Sequence, residues 1–114
     1  FSSFSEHMQP HEIVALMNDY LSAMTEIIEA EGGFVDKYIG DAIVAVFGAP
    51  ADDPHHAASA VRAALRCQAR LQEMNATLEP FRSRPVGQRI GLNSGEVLVG
   101  NIGSRRRFNY TVMG

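Results

Sequence analysis

The feature that most constrains the fold is a pair of strand-like runs, 34–39 and 42–47, that flank the dipeptide Gly40-Asp41. Glycine followed by aspartate suits a two-residue hairpin loop, because glycine adopts a positive φ there without a Cβ clash. The first run mixes polar and apolar residues, as in a partly exposed strand, whereas the second has no polar side chain and predicts a buried strand. The sequence therefore predicts a β-hairpin with Asp41 at the mouth of a core strand and Lys37 four residues before it.

These two charges have two possible interpretations. A carboxylate that a tight turn fixes on a rigid hairpin can bind a metal ion or form part of a phosphate site. Equally, Asp41 can simply fill a turn position that favours aspartate, with Lys37 as a solvated charge at a sheet edge. Turn chemistry alone favours this second interpretation, because turn aspartates are far commoner than metal ligands.

Length and composition predict one soluble domain over residues 1–114. The net charge is −3 and the charges are interspersed, which argues against nucleic acid as a partner. A single cysteine, Cys67, excludes an internal disulfide, and its apolar neighbours predict a buried, inert thiol. No run reaches the length of a membrane span, so we expect a cytoplasmic segment without membrane contact, although a parent protein could be anchored elsewhere.

Helical patterns lie on both sides of the hairpin. Pro10 fits the first turn of a helix that Gly32-Gly33 ends, and Asp53 is the expected N-cap of a second helix with Pro54 at its first position. Strand-like runs return at 89–94, 97–103 and 107–112. The predicted buried stripe of the first helix is Ile13, Met17, Tyr20, Met24 and Ile27 or Ile28, and that of the second is Ala57, Ala60, Val61, Ala64, Leu65, Leu71, Met74 and Leu78.

The hairpin sequence FVDKYIGDAI, followed by VFGAP, resembles the central hairpin of the class III nucleotidyl cyclases. The block with Gly91, Gly95 and the run GNIG before a Tyr-Thr strand resembles the same family, so the likeness covers essentially the whole chain. It implies an α+β fold, a ferredoxin-like β-α-β-β-α-β cyclase homology domain. The first strand would precede Phe1 and the C-terminal part would follow Gly114, so the resemblance implies a partial catalytic domain.

The resemblance also implies an activity, namely conversion of ATP to 3′,5′-cyclic AMP and pyrophosphate with two divalent cations, Mg²⁺ or Mn²⁺. Asp41 matches the second metal-binding aspartate of the family, and the first would lie before Phe1. Lys37 and Thr111 match the pair that recognises adenine; guanylate cyclases carry an acidic residue in place of the lysine. The backbone amides of Phe1 and Ser2 would contact the β- and γ-phosphates, and Arg106 aligns with a basic residue that contacts the triphosphate in some relatives.

The catalytic asparagine and arginine of the family would follow Gly114, so no catalytic residue of that kind is expected within the chain, and residues 1–114 alone should be inactive. In homodimeric relatives one subunit supplies the metal ligands and the other the purine-binding residues. The resemblance therefore implies a head-to-tail homodimer with two-fold symmetry. The alternative is a degenerate cyclase-like domain that serves only dimerisation or regulation. A diguanylate cyclase is disfavoured because Tyr38-Ile39-Gly40-Asp41 stands in place of that family's Gly-Gly-Asp/Glu-Glu-Phe hairpin.

Overall fold

The computed structural model of the chain describes residues 9–49, 52–79, 81–82, 85–96, 98–103 and 108–113. Within these residues two long helices accompany two antiparallel hairpins, which confirms the predicted α+β class. The elements are α1 (Pro10–Ala30), β1 (Phe34–Ile39), β2 (Ala42–Val46), α2 (His56–Thr77), β3 (Leu98–Gly103) and β4 (Phe108–Met113).

Helix α1 forms where the sequence predicts it. Pro10 occupies its first turn, where the missing N–H costs nothing, and Glu12 lies at the electropositive end. The chain leaves the helix through Glu31 and then Gly32, whose φ of +91° favours glycine. One face of the helix is buried and includes Tyr20, Met24, Ile27 and Ile28 of the predicted stripe. Leu16 and Ala23 are buried without having been predicted, whereas the predicted Ile13 and Met17 are only half-buried.

The β1–β2 hairpin closes through the predicted two-residue turn. Ile39 pairs with Ala42, and Gly40 has a φ of +60° while Asp41 keeps a negative φ, as in a type II′ turn. The prediction of a buried β2 was wrong, because its residues are exposed or half-buried. One edge of β2 pairs with β1, and an open groove is lined by residues of β2 but by none of β1.

Helix α2 begins two residues later than predicted. Its first residue is His56, not Pro54, and the Asp53 carboxylate accepts the backbone N–H of His55 at 2.8 Å instead of capping the helix directly. In the first half of α2 the buried face departs from the predicted stripe, since Val61 and Leu65 are 46% and 65% exposed. Leu71 and Met74 are buried as predicted, together with Ser59, Ala63 and Cys67, which the predicted stripe did not include.

The core lies between the two helices and is closed by a residue outside the regular elements. Phe81 has no exposed surface, although it lies in a turn after α2. Cys67 is buried in this core as predicted, and burial raises the pKa of its thiol, which keeps the sulfur protonated and unreactive.

The predicted strand 89–94 does not form. Residues 85–96 have no regular structure, and side chains from the helices hold their beginning. The Asn75 side chain donates to the Val86 carbonyl at 3.0 Å and accepts the Val86 backbone N–H at 2.9 Å. The Gln68 side-chain amide donates to the Gln88 carbonyl at 3.1 Å. A strand needs a partner for its backbone groups, and no described strand pairs with this segment.

The second hairpin pairs β3 with β4 in a regular antiparallel register, with Gly100 opposite Thr111. The backbone of β4 also approaches that of β1. Neither helix in the described part of the chain combines the length and hydropathy that a membrane span requires.

Candidate functional site

The candidate site centres on a groove of about 860 Å³ between the β1–β2 hairpin, the two helices and the segment 86–96. Its walls include apolar side chains of β2 and the alanine-rich face of α2, whose Ala57, Ala60 and Ala64 belong to the predicted buried stripe. Asp41 lies at the turn of the hairpin and lines this groove with an exposed side chain. The structure therefore places the predicted metal ligand at a concave surface.

Tyr20 and Gln88 form a polar contact in the same groove. The Gln88 side-chain amide donates to the Tyr20 hydroxyl at 2.6 Å and contacts the Met24 sulfur at 3.5 Å. Burial raises the pKa of Tyr20, the Gln88 hydrogen bond opposes that shift, and the Asp41 charge adds a smaller increase. Sequence reasoning missed this role of Gln88, since the residue precedes the strand-like run 89–94 and belongs to no motif.

Lys37 lies on β1 with its side chain 51% exposed, and its ammonium is 3.6 Å from the Asp36 carboxylate. The next residue, Tyr38, donates to or accepts from Thr25 of α1 through its hydroxyl at 2.8 Å. Among the described residues, the lining of the groove includes Asp41 but not Lys37. The two predicted site residues thus belong to one hairpin but do not share one cavity.

The remaining predicted site residues are less fully described. Thr111 lies on β4, the strand whose backbone approaches β1, so the two members of the predicted adenine pair come from neighbouring strands. Phe1, Ser2 and Arg106 lie outside the described residues, and their contacts with the triphosphate stay predictions.

A divalent cation fits the chemistry of Asp41, because an exposed carboxylate is a hard oxygen ligand of the kind that Mg²⁺ and Mn²⁺ prefer. The described residues contain no group of three or more histidine, cysteine, aspartate or glutamate side chains that could form a complete metal site. Within the described part of the chain, Asp41 can therefore supply one ligand of a shared site and not the whole of it.

Comparison with known proteins agrees with this hairpin geometry. The sequence profile of the family described as "Adenylate and Guanylate cyclase catalytic domain" matches residues 1–114. The chain therefore belongs to the adenylate and guanylate cyclase catalytic domain family, and the resemblance of its hairpin motif is confirmed.

Individual relatives include both kinds of cyclase. An adenylate cyclase of Anabaena cylindrica is 38% identical over 122 residues, which cover 100% of this chain and 22% of the relative. The crystal structure of the guanylyl cyclase Cya2 is 39% identical with a TM-score of 0.89, covering 100% of this chain and 58% of that one. A bacterial light-regulated adenylyl cyclase is 33% identical with a TM-score of 0.85, covering 99% of this chain and 32% of that one.

Proposed function

We propose that this chain is part of an adenylate cyclase, which converts ATP to 3′,5′-cyclic AMP and pyrophosphate. The observation that carries the proposal is the exposed ammonium of Lys37 on β1, four residues before the turn carboxylate Asp41. Sequence identity does not choose the purine, since the Anabaena adenylate cyclase and the guanylyl cyclase Cya2 are 38% and 39% identical to this chain. The choice therefore depends on the chemistry of the base-reading residues.

Lysine is suited to adenine because it is only a hydrogen-bond donor. Its ammonium can donate to the N1 atom of adenine, which is an acceptor, but it meets a donor in the N1–H of guanine. Thr111 would supply the second contact, since its hydroxyl both donates and accepts. The approach of β4 to β1 supports this pairing of Lys37 with Thr111.

The reaction joins the ribose 3′-oxygen to the α-phosphorus and breaks the bond from that phosphorus to the bridging oxygen of pyrophosphate, while the 3′-hydroxyl proton passes to solvent. Bound Mg²⁺ or Mn²⁺ ions would lower the pKa of the attacking hydroxyl and neutralise the phosphates. Asp41 would hold one of these ions with its carboxylate. Its place at the end of a paired hairpin keeps that oxygen on a rigid element.

A head-to-tail homodimer accounts for the separation of the two residues. Asp41 lines the groove of its own protomer, whereas Lys37 does not line it in the described residues. In a two-fold dimer each site would take Asp41 from one protomer and Lys37 from the other, so that two equivalent sites form.

The test is cyclic nucleotide formation by the full-length protein with ATP or GTP and MnCl₂. Lys37→Glu should lower kcat/KM for ATP by about 100-fold or more, because a carboxylate cannot donate to N1 and removes the positive charge. Asp41→Ala should abolish metal-dependent turnover with both nucleotides, whereas Asp52→Ala, an exposed aspartate outside the groove, serves as the control.

Two outcomes would overturn the proposal. Unchanged ATP turnover in Lys37→Glu would remove Lys37 from the base pocket. Failure of the unsubstituted protein to form either cyclic nucleotide would favour the degenerate, regulatory alternative. Equilibrium sedimentation of the full-length protein tests the dimer separately. A second test mixes Lys37→Glu with Asp41→Ala protein, which should restore one intact site per heterodimer and hence part of the activity.

A further inference from the structure

Asp36 is an unusual carboxylate for its place in the sheet. Its side chain is only 2% exposed, although it belongs to a strand of the outer hairpin. Charged side chains are seldom buried to this degree without a charged or hydrogen-bonding neighbour, because removal from water is costly. The ammonium of Lys37 is such a neighbour, with its Nζ atom 3.6 Å from Oδ2 of Asp36.

A β-bulge makes this contact possible. Val35 pairs with Ala45 and Lys37 pairs with Val44, so Asp36 is the extra residue between two consecutive ladder pairs. In a regular strand, adjacent side chains point to opposite faces of the sheet and do not meet. The bulge breaks this alternation and brings the two neighbouring charges together.

We propose that Asp36 is a positioning residue that holds the Lys37 ammonium in one orientation and thereby sharpens discrimination between ATP and GTP. The proposal rests on the proposed function of Lys37 as the residue that reads the base. A lysine side chain is flexible and can turn its charge away from an unfavourable donor. A lysine held by a buried carboxylate cannot turn away in this manner, so the N1–H donor of guanine would face a second donor in a fixed position.

The Asp36–Lys37 ion pair combines a fixed carboxylate, which can position the lysine, with an accessible ammonium, which can bind the base. The buried end, Asp36, is fixed by its place on the bulge, while the Lys37 side chain is half-exposed and can reach a ligand. An ammonium has three protons, so one can be directed at Asp36 while the others are donated to a base. The arrangement therefore positions the lysine without consuming its capacity to bind.

The experiment measures kcat/KM for both ATP and GTP in the full-length protein carrying Asp36→Asn. This change keeps the shape of the side chain and removes its charge. We expect the ATP-to-GTP ratio of kcat/KM to fall about tenfold, with the larger part of the change in GTP turnover. Asp36→Glu, which restores the charge, should recover part of the ratio, and this rescue distinguishes positioning from folding.

Glu31→Gln is the matched control for loss of an ion pair. Glu31 accepts from Nε of Arg62 at 3.1 Å and lies 3.5 Å from a terminal nitrogen of Arg66, away from Lys37. Its loss should change thermal stability and leave the nucleotide ratio unaltered. A ratio that falls equally in Glu31→Gln would overturn the proposal, because general loosening would then explain both results.

Lys37→Met separates this proposal from the proposed function. If Lys37→Met collapses the nucleotide ratio and Asp36→Asn leaves it unchanged, Asp36 is not a positioning residue and the role of Lys37 stands. If Lys37→Met leaves the ratio unchanged, the assignment of Lys37 to the base fails first. In the double variant, Asp36→Asn should add no further loss to that of Lys37→Met. If Asp36→Asn does not fold, Asp36→Ser decides, since this smaller side chain also removes the charge and an unchanged ATP-to-GTP ratio would contradict the proposal.

Discussion

The β1–β2 hairpin and the segment 85–96 both contain strand-like runs but have different structures. Both carry alternating or apolar runs that predict strands, yet only the hairpin forms a ladder. The hairpin closes through two residues, so each strand finds its partner locally at a small entropic cost. The segment has no such neighbour in sequence, and no described strand lies beside it. A segment with strand-like composition thus forms a strand only where a partner backbone lies beside it.

The two regions are also held by different forces. Backbone pairing holds the hairpin, and the Phe47 ring packs closely against Gly33 at its base. The side chains of Asn75, Gln68 and Tyr20 hold the beginning of the segment through hydrogen bonds. Beyond Gln88 the segment is exposed along one wall of the groove. Substitutions in the two regions should therefore change the free energy of unfolding by different amounts and with a different dependence on pH.

The largest expected effect is at Gly33, the residue that precedes the first strand of the hairpin. A Cβ on Gly33 would lie 2.7 Å from the Phe47 ring and 3.0 Å from Ile28, so Gly33→Ala should lower the free energy of unfolding by about 1–3 kcal/mol. Gly91→Ala is the matched control in the segment, because a Cβ there has nothing within 4 Å. Urea unfolding measures both, and equal losses would contradict the contrast between the two regions.

A smaller effect is expected where the segment meets α2. Asn75→Ala removes both bonds to the Val86 backbone and should cost about 1–2 kcal/mol, since the backbone groups regain only part of their hydrogen bonding from water. Asn18→Ala, at an exposed position of α1, corrects for the higher helix propensity of alanine. Hydrogen exchange at the Val86 amide should accelerate only in the Asn75 variant. Unchanged exchange would mean that another contact holds the segment.

The smallest effect is a pH dependence at the contact between Tyr20 and Gln88. Burial raises the pKa of Tyr20 above its unfolded value of about 10. The contribution of protonated Tyr20 to the free energy of unfolding is therefore fully present below the unfolded pKa and is lost as the pH rises through the higher pKa of the folded state. Tyr20→Phe should flatten the decline in unfolding free energy above about pH 10.

Cys67 adds a separate decline at alkaline pH, because burial also raises the pKa of its thiol from an ordinary value of 9.0. Cys67→Ala removes this contribution and isolates that of Tyr20. A Tyr20→Phe protein in the Cys67→Ala background that keeps the full decline above about pH 10 would show that the pKa of Tyr20 is the same in the folded and unfolded states.

Sequence reasoning was most successful where the information is local. The first turn of α1 at Pro10, the glycine exit and the Gly40-Asp41 turn follow from backbone preferences of single residues. The family motif likewise located Lys37 and Asp41 on one hairpin. Reasoning was least successful for the face of α2, where Val61 and Leu65 are exposed, and it did not identify Phe81, which lies outside the helices and is fully buried. Helical periodicity identifies a stripe but not the neighbour against which it packs.

By itself, the sequence determined the two helices, the hairpin with its turn and the cyclase family, because propensities and a contiguous motif act over a few residues. The tertiary structure decided the groove beside Asp41, the bond between Gln88 and Tyr20, and the burial of Asp36 beside Lys37. The first two depend on segments far apart in sequence, and the third depends on a one-residue slip in strand register. No local pattern encodes them, because each depends on how separate stretches of backbone pack or pair.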